Sequence, residues 1–282
     1  MDWSVLDPKG PVGAQELHVL VTALGLMMVV AVPVIVLTLW FAWRYRASSQ
    51  TARFAPDWDS SSLIALVCVA VPVVIVACLA TLAWKGSHEL DPYRPLHVEV
   101  DGRSVKPIEV QVMALDWKWL FVYPELGVAS VNELAMPVGV PVHFSITASS
   151  VMNAFFIPRL GGMIYAMPRM QTQLSLLASE QGTYDGLSAN YSGAGFSDMK
   201  FAARALSGPA FDAWIESARR SEARLDATTL TGLLAPGIQP VAKQYSAMDG
   251  DVFHAVLTAE AQQRLGATHL ATADPVCTTR GN

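Results

Sequence analysis

Metal-ligating side chains are scarce in this sequence. Its 282 residues hold three cysteines, Cys68, Cys78 and Cys277, and six histidines, His18, His88, His97, His143, His254 and His269. There is no Cys-x-x-Cys and no His-x-His, and no two histidines stand four apart. These gaps exclude a disulfide framework, a zinc site of the usual spacing and a cysteine-held iron–sulfur cluster. Positive charge is also short, with 19 Lys and Arg against 24 Asp and Glu for a formal net charge of −5. Phosphate contacts need clustered cations, so a nucleic-acid partner is excluded. No Gly-x-Ser-x-Gly and no glycine-rich loop ahead of a helix is present, which leaves hydrolase-elbow and dinucleotide-binding readings without support.

Charge is missing altogether from two long runs. Residues 17–43 and 63–84 contain no Asp, Glu, Lys or Arg. At about 1.5 Å per residue each is long enough to cross a bilayer. Trp40, Trp43 and Trp84 sit at their ends, where indole suits the headgroup level. Pro33 and Pro72 lie inside, as membrane helices tolerate. The first run is too long for a signal-peptide core, and it follows acidic Asp2, Asp7 and Glu16 against a single Lys9. Arg44, Arg46 and Arg53 put the connecting loop in the cytoplasm by the positive-inside rule. The N-terminus and everything after residue 85 are then expected outside, in the periplasm of a bacterium. Cys68 and Cys78 fall in the second run and read as lipid-facing or helix-packing residues.

From Ile108 the pattern becomes that of strands. IEVQVMALDWKWLFVYP (108–124) alternates loosely, and VPVHFSITAS (140–149) places Val140, Val142, Phe144 and Ile146 on one face. MQTQLSLLAS (170–179), GTYDGLSANYS (182–192) and MKFAARAL (199–206) continue the series, broken by Gly and Pro. Such spacing predicts a β-sandwich or barrel. Phe211, Trp214 and Ile215 then share a helix face, residues 228–256 read as loops and short helices, and the last residues, ADPVCTTRGN, as disordered. The expected division is 1–95 for an N-terminal segment and membrane hairpin, 96–207 for the β domain, and 208–282 for a mostly helical extension.

One stretch of the β domain has the rhythm of a metal site without its donors. In LSANYSGAGFSDMKF (187–201), Ser188, Ser192, Phe196 and Met199 stand at steps of four, four and three. The arrangement resembles subunit II of the haem–copper respiratory oxidases, a family with a membrane hairpin and a cupredoxin-like outer domain. Its cytochrome c oxidase members hold a two-copper centre on Cys-x3-Cys-x3-His-x2-Met and an earlier histidine. Here the resemblance sets Ser188 and Ser192 at the cysteine positions, Asn190 at a glutamate position, Phe196 at the histidine and Met199 at the methionine. The earlier histidine position, in SVMNAFFIPRLG (150–161), is Asn153. Soft thiolate and imidazole select copper, and hydroxyl, amide and phenyl groups do not replace them. Met199 alone is a weak ligand and reads as a core methionine.

Longer segments are similar to the members that oxidise quinol, the bo-type ubiquinol oxidases: LDPKGPVG (6–13), FAWRYRAS (41–48), 113–137, 150–172 and 182–201. The resemblance implies a subunit of a proton-pumping ubiquinol oxidase that reduces O2 to water. This chain would bind no metal or cofactor and hold no catalytic residue. Haems, CuB and the ubiquinol site would belong to subunit I, the main partner, with subunits III and IV beside it and no cytochrome c. The alternatives are a CuA-type subunit with altered ligands, and a membrane-tethered cupredoxin-like binding or assembly protein. Trp117 and Trp119 are expected as packing residues near subunit I, Asp116 and Lys118 as solvated or interfacial charges, and Arg159 near that junction. Tyr165 with Met163, Met167 and Met170 is expected as packing under the loop. Two positions depart from the family pattern. Met1 stands where the family carries a lipidated cysteine, and Ala65 where it has a glutamate serving a proton channel, a role expected to fall to Asp59 or to a group in another subunit.

Overall fold

The computed structural model describes residues 4–46, 61–96, 98–100, 103–246 and 251–258. Arg53, Asp57, Asp59, His97, His269, Cys277 and the C-terminal tail lie outside these residues. The chain forms two compact units: Gln15–Asp91, and Met1–Ala14 together with Pro92–Asn282.

The smaller unit is a pair of helices, α1 (Pro11–Arg44) and α2 (Ser62–Glu89). They contain both apolar runs. Each is long and apolar enough to cross a membrane, and none of its apolar stretch is buried. Leu39, Trp43, Leu63 and Trp84 all point outward. A helix that exposes large apolar side chains all round is built for a non-aqueous surrounding. The few polar side chains satisfy themselves locally: Thr22, Thr38 and Thr81 donate to carbonyls one turn back. Such back-bonding removes a hydroxyl that lipid could not solvate. Between the two helices, Gln15 donates to Glu89 at 2.9 Å.

The larger unit is two packed sheets with a small ribbon, β1 (Glu99–Val100) with β2 (Arg103–Ser104). In chain order the strands are β3 (Ile108–Leu115), β4 (Lys118–Tyr123), β5 (Val128–Val131), β6 (Glu133–Pro137), β7 (Val142–Ala148), β8 (Asn153–Phe156), β9 (Ile164–Ala166), β10 (Thr172–Leu176), β11 (Gly182–Ser188), β12 (Lys200–Leu206) and β13 (Lys243–Tyr245). The six-stranded sheet has the order β10-β7-β3-β4-β5-β13, and the five-stranded sheet β6-β12-β11-β8-β9. Their facing sides share one core, in which Phe155 stacks on Phe201 at 5.2 Å and Trp119 meets Phe155 edge-on at 5.4 Å. Val142, Phe144, Ile146, Leu174 and Leu176 enter this core as their alternation predicts.

The extension is part of this unit. Helix α3 (Gly208–Arg219) turns Phe211, Trp214 and Ile215 into the main core, with Trp214 against Tyr123. Strand β13 extends the six-stranded sheet at the β5 edge, and helices α4 (Ala227–Leu234) and α5 (Val252–Leu257) cover the other face of that sheet. Leu233, Leu234, Phe253 and Val256 pack there on Met113, Leu120, Val122 and Val131. The central strands are therefore apolar on both sides, which is why 108–124 alternates only loosely. That run is in fact a hairpin, β3 and β4, turning through Asp116 and Trp117.

Candidate functional site

The fold brings the metal-site outline together at one end of the five-stranded sheet. Ser188 ends β11 and Asn153 begins β8, its antiparallel neighbour. Asn190, Ser192 and Phe196 follow on the loop to β12, and Met199 immediately precedes β12. Asn153 is 1% exposed, Met199 1% and Ser188 4%.

A hydrogen-bond network fills the outline. Ser188 Oγ lies 3.2 Å from Asn153 Oδ1 and 3.3 Å from the Asn190 carbonyl, and it accepts from the Ala154 amide at 3.4 Å. Asn153 turns its Nδ2 to the Val151 carbonyl, and Asn190 its Nδ2 to that of Met152. Ser192 Oγ sits 3.9 Å from Met199 Sδ. The Ser188 amide donates to the Met199 carbonyl at 3.2 Å, so the two ends of the loop close on each other. Phe196 is only half buried and meets Tyr191 edge-on. The donor set is two hydroxyls, two amides and a thioether already engaged with one hydroxyl. Such a set does not fit a two-copper centre, which needs bridging thiolates and imidazoles. Among the described residues no group of three His, Cys, Asp or Glu could hold a metal ion.

Trp117 braces this loop from the other sheet. Its Nε1 donates to the Ser192 carbonyl at 3.0 Å. Its ring lies so close to Gly195 that a Cβ there would come within 2.5 Å of it. Trp117 itself has φ 63°, a left-handed conformation a bulky residue adopts only when its surroundings hold it. Trp119, two residues on, is fully buried in the main core.

Lys118 corrects the sequence expectation of a solvated or interfacial charge. It is 4% exposed, and its ammonium donates to the carbonyls of Leu233 at 2.9 Å and Ala235 at 2.8 Å. These are open carbonyls at the C-terminal end of α4, the end that favours a cation. Burial lowers the Lys118 pKa below that of an ordinary lysine, and the Asp116 carboxylate opposes the shift. Asp116 is half buried and accepts from Ser150 Oγ.

Arg159 also has a partner within the chain. It pairs with Asp7 at 3.4 Å. Its backbone carbonyl accepts from the Lys9 amide, the Leu160 carbonyl from the Gly13 amide, and the Lys9 carbonyl from the Ser179 amide. Lys9 Nζ bridges Glu180 at 3.0 Å and Asp7 at 3.2 Å, and those carboxylates raise its pKa. The segments 6–13 and 157–161 are thus one strap. Of the four residues expected as packing under the loop, Met167 is half buried, whereas Met163, Tyr165 and Met170 are surface residues. Val151, Met152 and Tyr191 are exposed beside the outline.

Comparison with known proteins bears on this geometry. Residues 124–206 match the family model for the cytochrome c oxidase subunit II periplasmic domain. The chain is 53% identical to ubiquinol oxidase subunit 2 of Acetobacter aceti over 237 residues, 84% of this chain and 76% of that one. It is 47% identical to cytochrome bo(3) ubiquinol oxidase subunit 2 of Pseudomonas aeruginosa, covering 91% and 76%. Quinol oxidase subunit 2 of Bacillus cereus is 34% identical, covering 83% and 79%. The β domain is cupredoxin-like, as expected, and the two apolar helices together with these relatives make the chain a membrane protein. By this sequence similarity, it belongs to the ubiquinol oxidase subunit 2 family.

Proposed function

We propose that this chain is subunit II of a proton-pumping ubiquinol oxidase and relays no electrons itself. The observation that carries the proposal is the network of Asn153, Ser188, Asn190, Ser192 and Met199. Hydroxyls and amides that satisfy one another hold a loop in place, but they offer no redox-active group. Electrons from ubiquinol would pass directly to haems and CuB in subunit I. The chain would brace that subunit with its two helices and cap its outer face with the cupredoxin-like domain, with subunits III and IV as further neighbours. Val151, Met152 and Tyr191, exposed on the loops that flank the outline, support the docking role, because exposed apolar side chains close together mark an interaction surface.

The proposed topology has N-terminus and outer domain in the periplasm and the 44–62 loop in the cytoplasm, from the arginines of that loop. The proposed division is 1–95 for anchoring, 96–207 for capping and 208–282 for closing the second face of the six-stranded sheet. The test is a mild-detergent purification through a tag on this chain, a chelator wash, then haem and copper analysis with quinol-driven O2 uptake. Quinol-dependent uptake with copper equal to that of subunit I is expected. Chelator-resistant copper on this chain, or the absence of a haem-bearing partner, would overturn the proposal.

A further inference from the structure

The six-stranded sheet carries a second polar arrangement, remote in sequence from the outline. Glu109 of β3 and His143 of β7 are register partners, as are His143 and Ser175 of β10. Their neighbours Val110, Phe144 and Leu174 belong to the main core. Strand alternation therefore turns Glu109, His143 and Ser175 onto the opposite face. Helices α4 and α5 pack on that face farther along β3, at Met113 and Leu115. At the start of β3 and β7 a hollow of about 170 Å³ remains, walled by Pro95, Leu96, Pro107 and Pro141, with Glu109, His143 and Ser175 in its lining. The Asp116–Trp117 turn that supports the outline loop lies at the other end of β3, roughly 23 Å away at about 3.3 Å per residue.

Glu109 is half buried, and its carboxylate has no ion pair or hydrogen bond among the described residues. A carboxylate partly withdrawn from water without a counter-charge is costly, and a cation brought to it offsets that cost. Lys106, the lysine of this chain nearest to it in sequence, pairs instead with Glu125 at 2.7 Å. The hollow narrows the choice of cation. One carboxylate and one imidazole are too few ligands for a transition metal. Its prolines and leucine suit an alkyl stem. Lysine has that build, a slender apolar stem with a compact charged head. Its ammonium has three N–H donors, one for Glu109 and one for His143. His143 Nδ1 lies 3.1 Å from Ser175 Oγ, and when Nδ1–H donates to that oxygen Nε2 is left as an acceptor. The planar fork of an arginine, spent on one carboxylate, would leave the imidazole unused.

We propose that this hollow seats one lysine side chain of another subunit, its stem against Pro95, Leu96 and Pro107 and its ammonium between Glu109 and His143. Ser175 is a positioning residue that fixes the imidazole tautomer. This contact presupposes that the chain is one subunit of a larger oxidase, as proposed above. It is electrostatic, and it lies at the opposite end of β3 from the apolar contact at Val151, Met152 and Tyr191.

The test applies a water-soluble carbodiimide to the complex purified in mild detergent, with methylamine in solution, followed by peptide mass spectrometry. The reagent activates a carboxylate, and an amine in contact with it closes an amide. A cross-link from Glu109 to a lysine of a co-purifying oxidase subunit is expected. Glu109→Gln, close in shape, should lose that cross-link and no other. His143→Gln and Ser175→Ala should lower its yield severalfold. Glu109→Lys, combined with lysine to glutamate at the cross-linked position of the partner, should restore a cross-link between the two positions. Glu109 recovered from the assembled complex as its methylamide, joined to a lysine of this same chain, or unmodified would overturn the lysine seat. A chain that purifies with no haem-bearing partner would instead overturn the reading on which it rests. The wild-type cross-link needs no variant, so the test stands even where His143→Gln does not fold.

Discussion

Trp117 and Lys118 are adjacent on one hairpin, yet they secure two different regions. Trp117 reaches the loop of the metal-site outline, where neutral hydrogen bonds and ring packing do the holding. Lys118 reaches the end of α4 in the C-terminal extension, where a buried ammonium meets two backbone carbonyls. The loop holds only neutral groups that satisfy one another, so its order does not depend on a metal. The extension depends on a charge removed from water, so its attachment is sensitive to loss of one side chain. A difference of one residue in the hairpin separates a loop held by neutral groups from a cover held electrostatically.

The largest expected effect breaks the second region. Lys118→Ala leaves the Leu233 and Ala235 carbonyls without their donor. It should cost about 3 kcal/mol, the scale for losing charge-assisted hydrogen bonds at a buried site. Urea unfolding of the β domain, together with protease cleavage within 226–246, checks this. Cleavage confined to 189–199 would contradict it. Trp117→Ala addresses the first region, removing the ring over Gly195 and the bond to Ser192. About 2 kcal/mol is expected, with cleavage now favoured in 189–199. Ser188→Ala should cost about 1 kcal/mol, because it removes neutral hydrogen bonds from one buried oxygen.

The smallest effect is a pH dependence with opposite signs at two lysines. Burial depresses the Lys118 pKa, so between its folded pKa and about 10.5 the unfolded chain binds more protons. Stability relative to Lys118→Met should therefore rise with pH across that window. Lys9 is raised by Glu180 and Asp7. Its contribution should be complete below the ordinary lysine pKa and vanish as pH climbs through the raised value. Urea midpoints measured from pH 8 to 11 for wild type, Lys118→Met and Lys9→Met separate the two. Parallel curves would mean that neither lysine responds as its surroundings imply.

Much of this architecture was legible in the sequence, for reasons particular residues make plain. The two helices were legible because a charge-free run of more than twenty residues has few other uses. Val142, Phe144, Ile146 and the α3 face were legible because one side of each faces polar surroundings and keeps a period. Strand β5 (Val128–Val131) is buried at every position and so had no period to find. Strands β8 and β9 are only four and three residues long. The turn at Asp116–Trp117 carried no glycine or asparagine to announce it, since Trp117 takes the positive φ itself. The outline at Ser188, Ser192, Phe196 and Met199 was legible in spacing alone. The closing contact of Asn153 with Ser188 was not, being made by strands 35 residues apart. The burial of Lys118 was hidden for the same reason, because its carbonyl partners lie more than a hundred residues downstream.

The most direct test of the central claim is quinol-driven O2 uptake by the assembled oxidase carrying Ser188→Ala, Ser192→Ala and Met199→Leu together in this chain. The account predicts a turnover per haem equal to wild type wherever the complex assembles, because these groups hold a loop and pass no electrons. A substantial fall in turnover per haem, with subunit composition and haem content unchanged, would contradict it and return an electron-relay role to this loop.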